Sequence, residues 1–261
     1  MHERHKNRDQ YFKEQSITTK KYVLPYGNEF MKIDQNTRVL EIGCGKGGNL
    51  LPFLELGCSC VGIDISEGDI QFAGENLAQY LEKNQVQLIA SDIYEVDVDQ
   101  LGTFNFIFMK DVIEHIPHQE KFMKFLKNFL SANGCILFAF PPWYMPFGGH
   151  QQVSTNKFAS ILPYYHILPS KIYTLLLQWF GESEGTIKGL LEIKETGISI
   201  ERFERIIKKE NYKILKKTAY LFNPNYEIKF GLKPKTIIAP FKSIPFFRNF
   251  YTTCMYYLIA K

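Results

Sequence analysis

Ten consecutive residues, Val39-Leu-Glu-Ile-Gly43-Cys-Gly45-Lys-Gly47-Gly48, carry an apolar run straight into a cluster of glycines. Glycine tolerates positive φ and lets a ligand approach the main chain, and a helix opening after such a turn offers unpaired N–H groups. Twenty-one residues beyond Gly43, at the end of a second apolar run, stands Asp64. A carboxylate at that place can accept both hydroxyl protons of a ribose. The two features together predict a nucleoside-bearing ligand lying across the C-terminal edge of a sheet.

Which nucleoside is left open by the glycines alone. Gly43, Gly45 and Gly48 satisfy G-x-G-x-x-G, so an NAD(P)-dependent oxidoreductase is available as a reading. Three features weigh against it. Glu41 puts an acid two residues before the first glycine, where a dinucleotide site usually keeps an apolar residue. No arginine or second phosphate-binding element follows. A third acid, Asp92, closes the next apolar run in Leu88-Ile-Ala-Ser-Asp-Ile93. Acids repel a diphosphate, whereas they suit a ligand carrying an ammonium and a sulfonium.

The motifs E-x-G-x-G-x-G at Glu41–Gly47, Gly-Ile-Asp-Ile at 62–65, Ser-Asp-Ile at 91–93 and Asp-Val-Ile-Glu-His-Ile at 111–116 occur in that order. In this the chain resembles class I S-adenosylmethionine-dependent methyltransferases, closest to the small-molecule branch that includes ubiquinone-biosynthesis enzymes. The resemblance implies S-adenosyl-L-methionine as cofactor and S-adenosyl-L-homocysteine as product. It implies that Gly43, Cys44 and Gly45 line the carboxypropyl end through main-chain atoms, with Glu41 turned toward the ammonium. Asp64 would hold the ribose, Ile65 would pack on the adenine, Asp92 would meet the adenine amino group, and the Ile93 N–H would reach a ring nitrogen. Lys110 would contribute main chain to the methionine moiety. Ile65 and Ile93 as plain core residues, and Asp92 as a helix N-cap, stand as the structural alternatives.

Methyl transfer is an in-line displacement in which positioning supplies much of the catalysis, and a general base is needed only if the acceptor loses a proton as it attacks. Histidine suits that task near neutral pH. His115, after the fourth strand run, and His150, in Pro141-Pro-Trp-Tyr-Met-Pro-Phe-Gly-Gly-His150, are the candidates, each with a structural role as the alternative, for His115 a hydrogen bond to the backbone; His166 among tyrosines reads as packing. Phe140-Pro-Pro-Trp143 is similar to the (N/D)-P-P-(Y/F/W) signature of amino-methylating enzymes but lacks the Asn or Asp, so it reads as a rigid strand exit. No metal site is expected. The expected partner is a small-molecule or glycan-type acceptor, with O-methylation favoured; the acceptor and the oligomeric state are not chosen by the sequence.

These groups need a scaffold. Between Thr37 and Pro142, runs of strand character (Arg38–Ile42, Cys60–Ile65, Val86–Ala90, Phe104–Lys110, Cys135–Phe140) alternate with helical stretches at Leu50–Leu56, Ile70–Glu82 and Gln119–Leu130. Phe122, Phe125, Leu126, Phe129 and Leu130 form one stripe, with Asn133-Gly134 as its C-cap signal. Alternation of this kind means βαβ units and a parallel sheet covered on both faces. With the resemblance, the expected fold is α/β: a Rossmann-like, doubly wound, mostly parallel seven-stranded sheet with an antiparallel last strand. The expected divisions are an N-terminal helical segment (1–36), with a helix within Asp9–Phe30 entered at Ser16 or Thr18, a cofactor-binding core (37–142), an aromatic-rich insertion after strand five (143–195) that serves as a lid over the acceptor or as a small core of its own, and a C-terminal part (196–261). The last holds a helix faced by Ile200, Phe203, Ile206 and Ile207 and strands at Tyr212–Phe222 and Tyr251–Ile259.

The chain has 261 residues, 31 basic against 27 acidic, 45% hydrophobic residues and five cysteines. Such a length buries roughly 70–75% of its unfolded surface, enough to fold without disulfides or metal. The odd cysteine count, with no Cys-x-x-Cys pair, reads as buried thiols in a reducing compartment. No apolar run reaches the ~18–20 residues that span a bilayer, and Met1–Arg8 lacks the apolar stretch of a secretory leader. A cytoplasmic location is expected. Residues 201–261 hold 13 basic and 4 acidic residues, which admits a non-catalytic module binding nucleic acid or an anionic surface. The lysines are scattered rather than massed, so nucleic acid is not the expected partner.

Overall fold

A computed structural model describes residues 7–261; most of Met1–Arg8, on which the expectation about a leader falls, lies outside the described residues. Five short runs rich in β-branched and aromatic residues form the parallel strands β1 (Arg38–Ile42), β2 (Ser59–Asp64), β3 (Val86–Ala90), β4 (Phe104–Lys110) and β5 (Leu130–Phe140). The chain closes with β6 (Lys213–Phe222), a two-residue β7 (Lys235–Thr236) and β8 (Cys254–Ala260). The order is β3-β2-β1-β4-β5-β8-β6-β7, and β8 runs antiparallel to both β5 and β6. This is the expected mostly parallel sheet, lengthened by an eighth, two-residue ribbon at one edge.

β1 pairs parallel with both β2 and β4. The winding therefore reverses between β1 and β4, which opens a crevice at the C-terminal ends of those strands. In β4, Phe106 and Phe108 join the cluster on one face of the sheet while Ile107 and Met109 join the cluster on the other. All four are no more than 1% exposed, as a strand covered on both sides requires. The helix Ile200–Lys209 buries Ile200, Phe203, Ile206 and Ile207 as its spacing predicts. Phe203 packs at 4.8 Å ring-to-ring from both Phe140 and Tyr257; burying one such ring stabilises by about 2–3 kcal/mol.

Four boundaries differ from expectation. The N-terminal helix begins at Arg8, capped by Asn7, whose side chain accepts from Gln10 N–H; Ser16 and Thr18 lie inside it. A π-helical segment, Thr19–Val23, joins it to Leu24–Asn28, so local hydroxyls marked no entry. The helix from Gln119 ends at Leu126, a 3-10 turn takes Lys127–Phe129, and Asn133-Gly134 lies within β5. There the register with β4 jumps from Phe104↔Leu130 to Phe106↔Cys135, so the Asn-Gly pair serves an irregularity of the strand instead of a helix end. Finally, Tyr251 closes a short helix, Arg248–Tyr251, and the last strand begins at Cys254.

The aromatic insertion has no clean period because it makes three helices, Lys157–Ile161, Ser170–Trp179 and Glu184–Thr196, around a core of its own. Tyr165, Tyr173, Leu177, Ile187 and Leu190 are buried there, while Phe158 and Trp179 stay exposed. Gln119 ties the insertion to the turn after β4, donating to the carbonyls of Ile113 and Thr196 at 2.9 and 2.7 Å. Phe140-Pro-Pro-Trp143 is a fixed exit from β5, with Trp143 N–H donating to Ile198 O at 2.8 Å. All five cysteines are buried thiols without disulfides. No helix among the described residues is long and apolar enough to cross a membrane.

Candidate functional site

The glycine turn leaves β1 and folds back on the end of β2: the N–H groups of Gly43 and Cys44 both donate to Ile63 O, at 2.8 and 3.1 Å. Gly43 holds φ at +72°, and a Cβ there would stand 2.4 Å from Val112 Cγ2, so neither the conformation nor the space admits a side chain. Gly48 has a different duty. A Cβ on it would stand 2.4 Å from Phe12 O, which means the third glycine of the dinucleotide-like pattern lets the N-terminal helix close against the turn.

At the tip of β2 the Asp64 carboxylate is fixed by two main-chain donors, Gly45 N–H to Oδ2 at 2.7 Å and Ser66 N–H to Oδ1 at 2.9 Å. A carboxylate has about four acceptor positions, so about two remain for other partners. Turn and carboxylate open on a cleft of about 500 Å³ at the β1/β4 crevice, within the usual range for a ligand pocket. Gly43, Gly45, Asp64, Ile65, Asp92, Ile93, Lys110 and His115 all line it.

Within the cleft the alternatives separate. Ile65 is 79% exposed, which removes the core reading for it, whereas Ile93 is 5% exposed and belongs to the core cluster as well as to the cleft wall. Asp92 is an N-cap, its Oδ1 accepting from Tyr94 N–H at 2.9 Å. Glu41 and Cys44 are not on the cleft wall. Both are buried behind the turn, Glu41 accepting from Asn49 Nδ2 at 2.8 Å while Thr19 Oγ1 donates to Asn49 at 2.8 Å. Burial raises the proton affinity of Glu41 well above the carboxylate norm, Asn49 and Lys110 draw it back, and Asp64 adds to the rise. Its Oε2 has no hydrogen-bond partner among the described residues.

The histidines divide. His115 reaches the cleft wall from the 3-10 turn Ile113–His115 that follows β4. His150, at φ +54° behind Gly148-Gly149, stands beside it with ring centroids 4.9 Å apart, but does not line the cleft. Burial lowers the affinity of both for a proton, with His150 depressed to about 3 by burial and by His115 and His166, and Asp111 partly offsetting the effect at His115. Burial likewise lowers His166, to about 4; it is fully buried, with Nε2 2.8 Å from Trp143 O and Nδ1 3.2 Å from Gln151 Nε2, which makes it packing. One ligand-capable atom each from Glu114, His115 and His150 converges within 4.8 Å.

Sequence reasoning missed several cleft residues: Tyr11 and Gln15 of the N-terminal helix, Lys46, Asp69, Tyr94, Asp111 and Val112. Lys46 sits in the glycine turn and pairs with Asp69 at 3.3 Å, its ammonium 5.2 Å from the centre of the Tyr11 ring. Asp111, at φ +57°, opens the Asp-Val-Ile-Glu-His-Ile motif and was a readable signal. Tyr11 and Gln15 had none, because only the packing of the first helix brings them there. No residue of the 143–195 insertion lines the cleft.

A family profile described as "Methyltransferase domain" matches residues 15–170. The chain is 30% identical over 110 residues to (S)-tetrahydroprotoberberine N-methyltransferase of Eschscholzia californica, covering 41% of this chain and 31% of that one. It is 29% identical over 105 residues to a ubiquinone biosynthesis O-methyltransferase of Pelagibacter ubique, covering 40% and 42%. Among solved structures it is similar to PKMT2 of Rickettsia typhi in complex with AdoHcy, with a TM-score of 0.55, 18% identity, and coverage of 93% and 53%. The chain thus spans less than two thirds of the length of each of these.

Proposed function

The chain belongs to the methyltransferase domain family, and from that premise we propose that it transfers a methyl group from S-adenosyl-L-methionine to a small-molecule acceptor, by preference to oxygen. The observation that carries this reading is the Asp64 carboxylate, pinned by Gly45 and Ser66 N–H groups at the cleft mouth with acceptor positions left over. The residues present fit the cofactor. Gly43 and Gly45 put bare main chain on the cleft wall, Ile65 offers an exposed apolar plate for an adenine, and Asp92 keeps one carboxylate oxygen beyond its cap for an amino group.

The roles follow. Main-chain atoms of Gly43, Gly45 and Lys110 hold the amino-acid end, with Cys44 behind them keeping the turn against Ile63 O, Asp64 accepts from the ribose, and Ile93 closes the adenine wall. Glu41, buried behind the turn and off the cleft wall, holds the turn through Asn49. When bound, S-adenosyl-L-methionine supplies an electrophilic methyl group on a sulfonium. The chain's own part is to orient acceptor and donor in line and to exclude water. His115, on the cleft wall, is better placed than His150 to take a proton from an acceptor hydroxyl. The helix Glu184–Thr196 packs against the turn that carries His115, so the insertion, which lines none of the cleft itself, bears on the acceptor side through that turn.

Calorimetric titration with S-adenosyl-L-homocysteine and, separately, with NAD⁺ tests this. Saturable binding of the first and none of the second is expected. The reverse would replace the reading with an oxidoreductase, and binding of neither would end it.

A further inference from the structure

In the segment that links β6 to β8, residues 238–247 are all exposed, and apart from Lys242 and Ser243 they are all apolar. Ile238, Phe241, Ile244, Phe246 and Phe247 are between 39 and 69% exposed, which puts on the order of 400 Å² of apolar side chain in water. A patch of that size marks a place of contact. The segment is not loose. Glu201 accepts from Phe246 N–H at 3.0 Å, from Arg248 Nε at 2.8 Å and from Asn249 Nδ2 at 2.6 Å, and Phe241 O accepts from Tyr251 OH at 2.5 Å. Phe246 stands at φ +68°, a conformation that bulky residues rarely adopt. Polar groups are thus turned inward to hold the main chain, and the apolar side chains are held out.

The charge around the patch has one sign. After Glu227 the chain carries Lys229, Lys233, Lys235, Lys242, Arg248 and Lys261 and no acid. Glu227 pairs with Lys21 at 2.8 Å, and Glu201 and Glu204 pair with Arg248 at 2.8 and 3.0 Å. Lys235 and Lys242 are exposed and enter no ion pair among the described residues. Beside the patch an open groove of about 580 Å³ is lined by Leu221, Ile237, Ile238, Phe241 and Tyr251 together with Lys235. An apolar slot with a lysine on its wall suits an acyl chain beneath an anionic head.

We propose that residues 238–247, with Lys235 and Lys242, dock the protein on the surface of an anionic phospholipid bilayer. The apolar side chains enter the headgroup boundary while the ammonium groups meet lipid phosphates. Phenylalanines beside lysines could also stack the bases of a single-stranded nucleic acid. Ile238 and Ile244 have no ring to stack, however, and the groove is apolar, so the bilayer is the occupant that uses every part of the surface. The strand ends set the orientation. Phe140, the end of β5, pairs with Met255, and Tyr220, near the end of β6, pairs with Cys254. The segment between β6 and β8 therefore lies at the C-terminal edge of the parallel strands, the edge on which the cofactor cleft opens, and docking brings that edge to the bilayer.

Cosedimentation of the full chain with large vesicles tests this, using phosphatidylcholine alone and phosphatidylcholine with about a third phosphatidylglycerol. At least tenfold tighter binding to the anionic vesicles is expected, weakening as salt is added. Lys235→Gln combined with Lys242→Gln should weaken it about 25-fold, at about fivefold per lysine. Ile238→Ser combined with Phe247→Ser should weaken it at least tenfold, and both pairs should leave S-adenosyl-L-homocysteine affinity within threefold of the parent. All four side chains are exposed, so neither pair should disturb folding. No binding to anionic vesicles, or equal binding by the Ile238→Ser, Phe247→Ser variant and the parent, overturns the proposal. A parent dimer that the same variant breaks would overturn it in favour of a second copy of the chain. Tighter binding to a uridine oligonucleotide than to the vesicles would overturn it in favour of nucleic acid. Vesicle binding by a chain that takes no S-adenosyl-L-homocysteine would uphold the docking surface and overturn the methyl-transfer reading alone.

Discussion

Replacing Asp64 by Asn keeps the volume of the side chain and changes only what it can accept. In the parent, Gly45 N–H donates to one oxygen at 2.7 Å and Ser66 N–H to the other at 2.9 Å. An amide has one oxygen, so its NH₂ must face one of these donors, or turn toward the cleft and present a donor where ribose hydroxyls need acceptors. Hydrogen bonds to a charged group are worth about 1.5–3 kcal/mol each. Losing the one that a ribose hydroxyl makes to the carboxylate, and facing that hydroxyl with an amide donor, amounts to about 2–3 kcal/mol of binding. At 1.4 kcal/mol per tenfold, affinity for S-adenosyl-L-homocysteine should fall about 30- to 150-fold. Calorimetry at fixed ionic strength measures it, with a thermal melt of the same sample to show an intact fold. Affinity within threefold of the parent, in a folded variant, would refute the assignment of this carboxylate to the ligand.

Two glycines make opposite predictions. Gly43→Ala forces a side chain into φ +72° and 2.4 Å from Val112 Cγ2, and should cost about 2–4 kcal/mol in chemical denaturation. Gly189→Ala, in the helix Glu184–Thr196 where an added Cβ meets nothing within 4 Å, should stabilise by about 0.5–1 kcal/mol; a loss there would contradict the helix. Phe203→Ala removes a fully buried ring packed on Phe138, Phe140 and Tyr257 and should cost about 3–5 kcal/mol in urea unfolding. His166, lowered to about 4 by burial from an ordinary value of 6.5, binds its proton in the unfolded chain first. Its contribution is therefore complete above pH 6.5 and lost as pH falls toward 4, by up to about 3 kcal/mol. Stability measured from pH 7 to 4 should fall less steeply in His166→Gln than in the parent, and parallel curves would remove His166 as a cause.

How much was legible in the sequence follows from what each feature depends on. Short β-branched runs and helical stripes report burial of neighbouring residues on one element, so the parallel core, the stripe of Ile200, Phe203, Ile206 and Ile207, and the turn at Gly43 could be read directly. Asn133-Gly134 could not. The same dipeptide suits a helix end or an irregular strand, and only pairing of Phe106 with Cys135 decided between them. The hydroxyls at Ser16 and Thr18 misled for the same reason: a capping residue is defined by where the chain enters the helix, and that was Asn7.

By itself the sequence determined the αβ rhythm, the glycine turn, and the acid that ends β2, because each is a local matter of backbone freedom, hydrophobic period and charge. The tertiary structure decided which side chains meet. It put Glu41 behind the turn, brought Tyr11 and Gln15 from the first helix to the cleft, and carried His150 back to Glu114 and His115. Contacts between residues far apart in the chain depend on how elements pack, and packing is set by the shape of the whole core and not by any one segment of it.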